Sequence, residues 1–361
     1  MAPVARGLAG RGITPTLIVT GQHPGLAVGD FGLGAFPRVD LGFPGQADPH
    51  AHVRSVSEAL RPLLRDGPDL LVVQGDTSSA FSGALAGFVS DTPVAHVEAG
   101  LRTHDPELPW PEEEYRVAID QHAELLFAPT DTAAANLRAE QVPGEIHVTG
   151  NTGVDTLLAA EARLPAPTLR DGAVPRLLVT CHRRESWSGG LDSISAALTV
   201  LAEERAIAIE VVLHPNAHVA ARMKQSLAGR RGIALVEPCG HQELLRRVRD
   251  CDLVLSDSGG IQEEAPTLGT PLLVLREKTE RPEAIASGNA RLVGTSADRI
   301  LSETRRLLDD PIERAGMARR TLPFGDGHAG PRIASLIECW LAEGDVDQRA
   351  ELLSRSIISL S

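Results

Sequence analysis

The chain has 361 residues, which is enough for two domains of ordinary size. Hydrophobic residues make up 42% of the sequence and charged residues 23%, values that exclude a disordered, collagen-like or membrane-spanning chain. With 35 basic and 48 acidic residues the formal net charge is −13, so the surface repels nucleic acid. A phosphate-bearing partner must therefore be met by a few local cations and backbone N–H groups.

The four cysteines, at positions 181, 239, 251 and 339, are too scattered for a zinc or redox motif. Sparse cysteines in a long chain suit the reducing environment of the cytosol. The first residues, MAPVARGLAGRG, contain neither the apolar segment nor the cleavage site of a signal peptide. The sequence therefore predicts a cytoplasmic protein without a membrane partner.

Short runs of aliphatic and β-branched residues alternate with amphipathic stretches. The runs predict strands at residues 15–20, 69–74, 93–98, 124–128, 146–149, 176–180, 207–213, 233–236, 253–256 and 271–275. The stretches predict helices, among them 2–9, 52–64, 78–89, 131–140, 191–204 and 242–249. Buried strands separated by helices are typical of parallel sheets. The predicted fold class is α/β, with two doubly wound Rossmann-like domains.

A segment with three prolines, a glycine and no apolar period, residues 164–175, predicts the domain boundary. Residues 1–163 would form the first domain and residues 176–330 the second. Residues 331–361 would form helices that pack back across the first domain. The chain opens on a helix where a doubly wound domain opens on a strand, so the first strand of the first domain is expected to be missing.

Polar, charged or glycine residues directly follow five of the predicted strands. In chain order they read GDTSS at 75–79, EAGLR at 98–102, CHRRE at 181–185, HPN at 214–216 and DSGG at 257–260. Ligands of open α/β sheets bind beyond the carboxyl ends of the strands. These segments together predict a ligand-binding edge.

The stretch from Glu98 to Arg116 is rich in carboxylates. Glu98 ends a buried run, where a carboxylate needs a partner or a function. Two prolines before Glu112 would hold it rigidly, and Arg116 follows one helical turn later on the same face. Glu113 and Glu114 are interpreted as parts of a charged loop.

Ser258, Gly259 and Gly260 open a predicted helix. Glycines there let a phosphate approach N–H groups at the positive end of the helix dipole. A plain tight turn is the alternative interpretation. Arg276 and Arg281 follow the next strand, and they form either ion pairs or a phosphate clamp.

Several nucleotide and metal motifs are absent from the sequence. It contains no G-x-x-x-x-G-K-[ST] and no G-x-G-x-x-G after a strand, which disfavours a P-loop kinase and a tightly held NAD. His214 and His218 have the i, i+4 spacing of helical metal ligands, but Pro215 stands between them and no H-E-x-x-H is present. The sequence predicts neither a cofactor nor a metal.

Long, ordered blocks between about residue 2 and residue 340 are similar to one protein family. They read GDTSSA, PVAHVEAGLRT, PWPEEEYR, TGNTGVDTL, TCHRRES, SDSGGIQEEAPTLGTPLLVLREKTERPEA and FGDGHAGPRI. In these blocks the chain resembles the non-hydrolysing UDP-N-acetylglucosamine 2-epimerases. The resemblance implies a glycosyltransferase-B-like fold, with two Rossmann-like domains whose parallel sheets face each other across a cleft.

The resemblance implies interconversion of UDP-N-acetylglucosamine and UDP-N-acetylmannosamine. In the family, C2 of the sugar loses its proton while UDP leaves C1, which gives 2-acetamidoglucal, and UDP then adds back with the proton delivered to the opposite face. Such a step needs carboxylates near C2 and stabilisation of the departing diphosphate, without cofactor or metal. The family also suggests a homodimer and, in bacterial members, a second UDP-N-acetylglucosamine that acts as an activator.

The resemblance also assigns roles to the matching positions. The catalytic positions are Asp76, Glu98, Glu112 and His182. The substrate-binding positions are Arg116, the diphosphate-binding turn Ser258, Gly259 and Gly260, the ribose-binding Glu264, and Arg281. The positions similar to the regulatory pocket are Gln22, His23, Arg183 and His214.

The chain departs from the family pattern at three places. The family's leading strand and its Gly-Thr-Arg-Pro-Glu turn, which supplies an arginine to the cleft, have no counterpart in this sequence. Tyr115 stands where the family has asparagine, and Leu244 where it has an aromatic residue near the uracil. The alternatives are a hydrolysing epimerase that releases N-acetylmannosamine, a glycosyltransferase of the same architecture, and a non-catalytic sugar-nucleotide binder.

Overall fold

The computed structural model describes residues 1–22, 28–65, 67–167, 174–181, 189–343 and 357–360. The chain divides into two compact units, which we call unit 1 (Met1–Thr156 with Phe324–Ser361) and unit 2 (Leu157–Pro323). The sequence places the boundary a little later, between residues 163 and 176, and part of that segment lies outside the described residues.

Strands and helices alternate along the described chain. The strands are β1 (Pro15–Val19), β2 (Arg38–Asp40), β3 (Leu71–Gln74), β4 (Val94–Val97), β5 (Leu125–Ala128), β6 (Glu145–Val148), β7 (Arg176–Thr180), β8 (Ala208–Val212), β9 (Ile233–Val236), β10 (Leu253–Ser256), β11 (Leu272–Val274), β12 (Ala290–Leu292) and β13 (Ile357–Leu360). The α-helices are α1 (Ala2–Ala9), α2 (Pro49–Leu60), α3 (Ser78–Val89), α4 (Glu112–Asp120), α5 (Asp131–Ala139), α6 (Thr152–Glu161), α7 (Gly190–Glu204), α8 (Ala217–Leu227), α9 (His241–Asp250), α10 (Gly259–Leu268), α11 (Pro282–Ala286), α12 (Ala297–Asp309), α13 (Pro311–Met317) and α14 (Ala329–Glu343). Every strand predicted from an apolar run is present, with small shifts at its ends.

The sheet of unit 1 is parallel, in the order β2-β1-β13-β3-β4-β5-β6 among the described residues. Strand β13, the third in this order, comes from the end of the chain, with Ile357 opposite Pro15 of β1 and Ile358 opposite Leu71 of β3. In the doubly wound order 3-2-1-4-5-6 this position belongs to the first strand of the domain. The last residues of the chain, where the sequence predicts further helix, thus fill the place of the strand expected to be missing, and their isoleucines favour a strand.

Both faces of this sheet are covered, as the unbroken apolar runs predict. Leu71 and Val73 of β3 belong to a core formed with α2, α3, α4 and α5. Val72, between them, belongs to a second core, in which Leu8 of α1 and Ile333 of α14 also pack. Because successive side chains of a strand point to opposite faces, one short strand contributes to both layers.

Unit 2 repeats this architecture with a parallel sheet in the order β12-β11-β10-β7-β8-β9 within its described part. Leu177 of β7 and Leu255 of β10 pack in its core with Leu198 of α7 and Ile300 of α12. Helix α10 begins three residues after β10 ends, so its first turn lies at the carboxyl edge of the sheet. The predicted fold class, with two doubly wound α/β units and parallel sheets, is confirmed.

None of the helices in the described ranges combines the length and the apolar character that crossing a membrane requires.

Candidate active site

The turn after β3 carries Asp76. Gly75 has a positive φ of 67°, and the side chain of Thr77 accepts a hydrogen bond from the N–H of Ala80 at 3.1 Å, which caps α3. The carboxylate of Asp76 accepts hydrogen bonds from Nε of Arg116 at 3.0 Å and from its Nη2. A strand end, a helix cap and a cation therefore fix the position of Asp76.

Glu98 follows β4 with a φ of 71°, which few residues other than glycine adopt. This left-handed backbone costs about 1–2 kcal/mol. The carbonyl of Phe127 holds the turn, because it accepts the N–H of Glu98 at 3.0 Å and that of Ala99 at 3.1 Å. The side chain lies next to the Asp76 turn, since a methyl group on Gly75 would be 3.6 Å from Oε2 of Glu98. Strained backbone held by its surroundings is frequent at functional sites.

Helix α4 begins at Glu112, which is partly buried. Its first turn is acidic, with Glu113 and Glu114 after Glu112. Two cis peptide bonds, Leu108–Pro109 and Trp110–Pro111, precede the helix. The predicted placement of Glu112 at a helix start, directly after the two prolines, matches the structure.

Glu113 corrects the interpretation of this segment as a charged loop. Its buried carboxylate accepts the N–H of Thr103 at 2.9 Å and that of His104 at 2.9 Å, and it pairs with Nη1 of Arg116 at 2.7 Å. Glu114 is exposed, as expected. The i, i+3 spacing of Glu113 and Arg116 is a signal for this pair, but three consecutive glutamates do not indicate which one faces the core.

Arg116 connects these acidic groups. Its side chain is 2% exposed and contacts both Asp76 and Glu113. Burying a guanidinium costs several kcal/mol unless its charge is matched. The two carboxylates supply that match, and in return Arg116 fixes their orientation.

In unit 2, α10 begins at Gly259, with Ser258 as its N-cap residue. The first N–H groups of an α-helix have no partners within the helix and lie at the positive end of its dipole. A methyl group on Gly259 would be 2.7 Å from Nη1 of Arg281, so the guanidinium lies against the start of this helix. An adjacent cation and helix start suit an anion such as a diphosphate.

Arg281 is itself held by carboxylates. Its Nε donates to Oε1 of Glu263 at 2.6 Å, and its Nη1 donates to Glu280. Arg276, just beyond β11, donates to the other oxygen of Glu280 at 2.8 Å. The ion-pair interpretation of both arginines is thus correct, and a phosphate contact by Arg281 stays a prediction.

Glu264, the predicted ribose ligand, contacts a histidine that the sequence analysis did not select. Nε2 of His241, the first residue of α9, lies 2.8 Å from Oε1 of Glu264. This hydrogen bond raises the pKa of His241 above its ordinary value of 6.5, although partial burial opposes the shift. The two residues are on separate helices, so no spacing along one element could indicate their contact.

Two of the predicted regulatory residues lie in the described part of the chain. Oε1 of Gln22 accepts hydrogen bonds from the N–H of Ser79 at 3.0 Å and from its hydroxyl at 2.6 Å, in the first turn of α3. His214 follows β8, and its Nδ1 accepts the N–H of Asn216 at 2.9 Å. The other two, His23 and Arg183, and the predicted catalytic His182 lie outside the described residues. Among the described residues, no three His, Cys, Asp or Glu side chains are grouped as metal ligands would be.

The predicted residues come together in two groups. Asp76, Glu98 and Arg116 lie at the carboxyl edge of the unit 1 sheet. Ser258, Gly259 and Arg281 lie at the carboxyl edge of the unit 2 sheet, with Gly260 and Glu264 further along the same helix, α10. Carboxylates on one parallel sheet and an anion-binding helix start on another are features of an α/β enzyme that acts on a phosphate-bearing substrate.

Comparison with known proteins identifies the family. The sequence model of the UDP-N-acetylglucosamine 2-epimerase family matches residues 8–338, and the chain belongs to this family. The curated UDP-N-acetylglucosamine 2-epimerase of Yersinia pestis is 40% identical over 314 residues, which cover 83% of either chain.

Solved structures show the same relationship. The crystal structure of UDP-GlcNAc 2-epimerase from Neisseria meningitidis bound to UDP-GlcNAc has a TM-score of 0.88 and 33% identity, and covers 94% of this chain and 96% of that one. The Methanocaldococcus jannaschii enzyme in complex with UDP-GlcNAc and UDP has a TM-score of 0.81 and 30% identity, with coverage of 94% and 95%. These structures share the predicted α/β fold class with this chain.

Proposed function

We propose that this protein interconverts UDP-N-acetylglucosamine and UDP-N-acetylmannosamine by a non-hydrolysing route. Family membership supports the substrate. The observation that carries the proposal is the arrangement at the unit 1 edge, where the Glu98 carboxylate lies beside the turn that presents Asp76. Epimerisation at C2 needs one group that removes a proton and one that delivers it, and two neighbouring carboxylates supply such groups.

The reaction proceeds by elimination and re-addition. A carboxylate takes the C2 proton, the electrons of the C2–H bond form a C1=C2 double bond, and the C1–O bond breaks with its electrons leaving on the diphosphate of UDP. The intermediates are 2-acetamidoglucal and UDP. In the return step, the double bond takes a proton at C2 from the opposite face while a diphosphate oxygen forms a new bond to C1. No net redox change occurs, and no water is consumed.

Unit 1 would perform the acid/base work. Asp76 and Glu98 come from neighbouring strand ends and are held by Arg116 and by the Phe127 carbonyl, respectively. Glu112 is the third carboxylate of the proposal, and it stands at the start of α4, the helix that also presents Arg116. Groups fixed by the fold need little reorganisation when the reaction occurs.

Unit 2 would stabilise the departing UDP. The N–H groups of Gly259 and Gly260 and the guanidinium of Arg281 offer positive charge to the diphosphate. Glu264 would accept hydrogen bonds from the ribose hydroxyls, in exchange for its contact with His241. Stabilisation of the leaving group lowers the barrier to C1–O cleavage, because negative charge develops there in the transition state.

The test is incubation with UDP-N-acetylglucosamine in deuterated water, followed by NMR. We expect UDP-N-acetylmannosamine with deuterium at C2 and little free UDP. Stoichiometric accumulation of UDP and N-acetylmannosamine would instead identify a hydrolysing epimerase. Binding of UDP in calorimetry without any C2 exchange would identify a non-catalytic binder, and a product that forms only with an added acceptor would identify a glycosyltransferase.

The proposal includes a second UDP-N-acetylglucosamine as activator, at a site that includes Gln22, His23, Arg183 and His214. The contact of Gln22 with Ser79 supports it, because Ser79 lies three residues after Asp76. A trace of UDP-N-acetylglucosamine should therefore accelerate the reverse reaction, and Gln22→Ala should weaken this activation more than the basal rate.

We also propose a homodimer, which sedimentation equilibrium would test.

A further inference from the structure

A buried histidine contacts the backbone of the Asp76 turn. His96 is on β4, two residues before Glu98, and its side chain is fully buried. Its Nδ1 lies 2.6 Å from Oδ1 of Asp120, at the end of α4, and its Nε2 lies 2.9 Å from the carbonyl oxygen of Gly75. That carbonyl belongs to the peptide group that joins Gly75 to Asp76. His96 therefore acts directly on the backbone that presents one of the carboxylates.

Asp120 also contacts the turn after β4, which carries Glu98. Its Oδ2 accepts the N–H of Gly100 at 3.0 Å, two residues after Glu98, and lies 2.8 Å from Nη2 of Arg102. The turn requires such support because Glu98, which is not a glycine, has a φ of 71°. A methyl group on Gly100 would be 2.3 Å from the carbonyl oxygen of Ala133, so the turn is also tightly confined by α5.

The charges around this pair are balanced. Carboxylate and carbonyl oxygens only accept hydrogen bonds, so both contacts of His96 are satisfied when each ring nitrogen carries a hydrogen. Glu140 accepts two hydrogen bonds from Arg102, so Asp120 and Glu140 together offer two negative charges to Arg102 and to a doubly protonated His96. Burial opposes ionisation of Asp120, but the charges of His96 and Arg102 outweigh it and hold the pKa of Asp120 below its ordinary value.

We propose that His96 and Asp120 form a positioning pair that sets the spacing between the carboxylates of Asp76 and Glu98. The inference rests on the proposed function, because these are the carboxylates that would act at C2. The pair contacts backbone atoms of both turns, so a shift at either end moves one carboxylate relative to the other. A displacement of reacting groups by about 1 Å costs about 100-fold in rate.

Two substitutions of His96 each retain one contact. The amide of His96→Asn takes the place of Nδ1 and faces Asp120, whereas that of His96→Gln takes the place of Nε2 and faces Gly75. We expect each variant to lower kcat for epimerisation by about 100-fold, with KM and the dissociation constant of UDP close to those of the wild type. The matched control is His52→Gln, since His52 is also buried but takes no part in the hydrogen bonds of the two turns described above. This control should lower thermal stability and leave kcat unchanged.

A double variant tests whether the two residues act as one unit. If they do, His96→Gln combined with Asp120→Asn should be no slower than the slower single variant, because either single change already breaks the contact between the two residues. Losses that multiply would overturn the proposal. A wild-type kcat in both single His96 variants, or a kcat loss as large in the His52 control, would overturn it as well.

Amide hydrogen exchange distinguishes this proposal from the proposed function. If the wild-type protein does not exchange the C2 proton of the sugar, the proposed function is refuted. The positioning pair can still be tested in that case, by the exchange of backbone amide hydrogens. We expect faster exchange in the His96 variants at the turns around Asp76 and Gly100, with the amides of α5 unchanged. Exchange that stays at the wild-type rate in both turns would refute the pair, whatever reaction the protein catalyses.

Discussion

Units 1 and 2 each contain an ion pair between an arginine and a carboxylate, but the partner that is proposed to act on the substrate differs between them. In unit 1, Arg116 holds the carboxylate of Asp76, and the proposed working group is the acid. In unit 2, Glu263 holds the guanidinium of Arg281, and the proposed working group is the cation. A buried ion pair at a sheet edge therefore does not indicate which partner meets the substrate. The neighbouring backbone does: a strained turn with a second carboxylate lies beside Asp76, and a helix start lies beside Arg281.

Substitution of the unit 1 carboxylates should have the largest effect. Asp76→Asn and Glu98→Gln remove an acid or base but keep the size of the side chain, and we expect the rate of C2 exchange to fall by about 10²–10⁴-fold. UDP affinity should stay near the wild-type value, because unit 2 is intact. NMR of the exchange and calorimetry with UDP measure the two quantities. A loss of UDP affinity equal to the loss of rate would contradict the division of roles.

Gly259→Ala tests the start of α10 in unit 2, where the diphosphate is proposed to bind. The new methyl group would press on Nη1 of Arg281 at 2.7 Å, and Glu263 and Glu280 prevent the guanidinium from moving freely. Loss of a hydrogen bond to a charged group costs about 1.5–3 kcal/mol, so UDP should bind roughly 10–100-fold more weakly. Gly316→Ala is the matched control, since nothing lies within 4 Å of the added methyl group. Equal UDP affinities in the two variants, measured by calorimetry, would contradict the assignment of this turn.

Glu113→Gln and Glu114→Gln compare a buried and an exposed glutamate in the same helical turn. Glutamine at position 113 keeps an oxygen for the N–H groups of Thr103 and His104 but loses the charge that matches Arg116. We expect the free energy of unfolding to fall by about 1–3 kcal/mol. Glu114→Gln should change it by less than about 0.5 kcal/mol. Denaturant unfolding measures both, and equal values would show that Arg116 does not depend on Glu113.

Removal of the contact between His241 and Glu264 should have the smallest effect. We expect it to lower the free energy of unfolding by less than about 1 kcal/mol, because the contact is partly solvated. The raised pKa of His241 means that the folded protein binds its proton more tightly than the unfolded chain. The stabilisation is therefore complete below pH 6.5 and is lost as the pH rises through the folded-state pKa. The unfolding midpoint of the wild type should exceed that of His241→Gln at low pH and approach it at high pH. The control is His122→Gln, since His122 contacts the backbone carbonyl of Ala118 rather than a carboxylate. An equal pH dependence in the two variants would contradict the assignment of this effect to the contact with Glu264.

A strand can be predicted from the sequence when its pattern of apolar residues matches its burial in the folded protein. Strands such as β3 and β10 are apolar on both faces, so an unbroken apolar run indicates them. Strands β2 and β12 have only three residues each, and every residue of β2 is polar or at least partly exposed. They exist because their backbones pair with a neighbour, which no residue pattern records.

The same distinction applies to the site. Asp76, Glu98 and Ser258 were predictable because each follows a buried strand, and parallel topology brings such positions to one edge. Glu113, His96 and His241 each contact residues that are distant in sequence or lie on other elements, and the packed structure is needed to identify those partners. The buried position of His96 within an apolar strand is itself a signal, since a buried imidazole requires hydrogen-bond partners.

The packing of α14 on α1 has a consequence for how the protein is made. Leu8 of α1 shares a core with Ile333 and Ile337 of α14, whereas the residues of unit 2 are all in place by Pro323. As a ribosome extends the chain from its amino terminus, the half that is started first is thus the last to be finished. Unit 2 can therefore fold before α14, the partner of α1, has been synthesised.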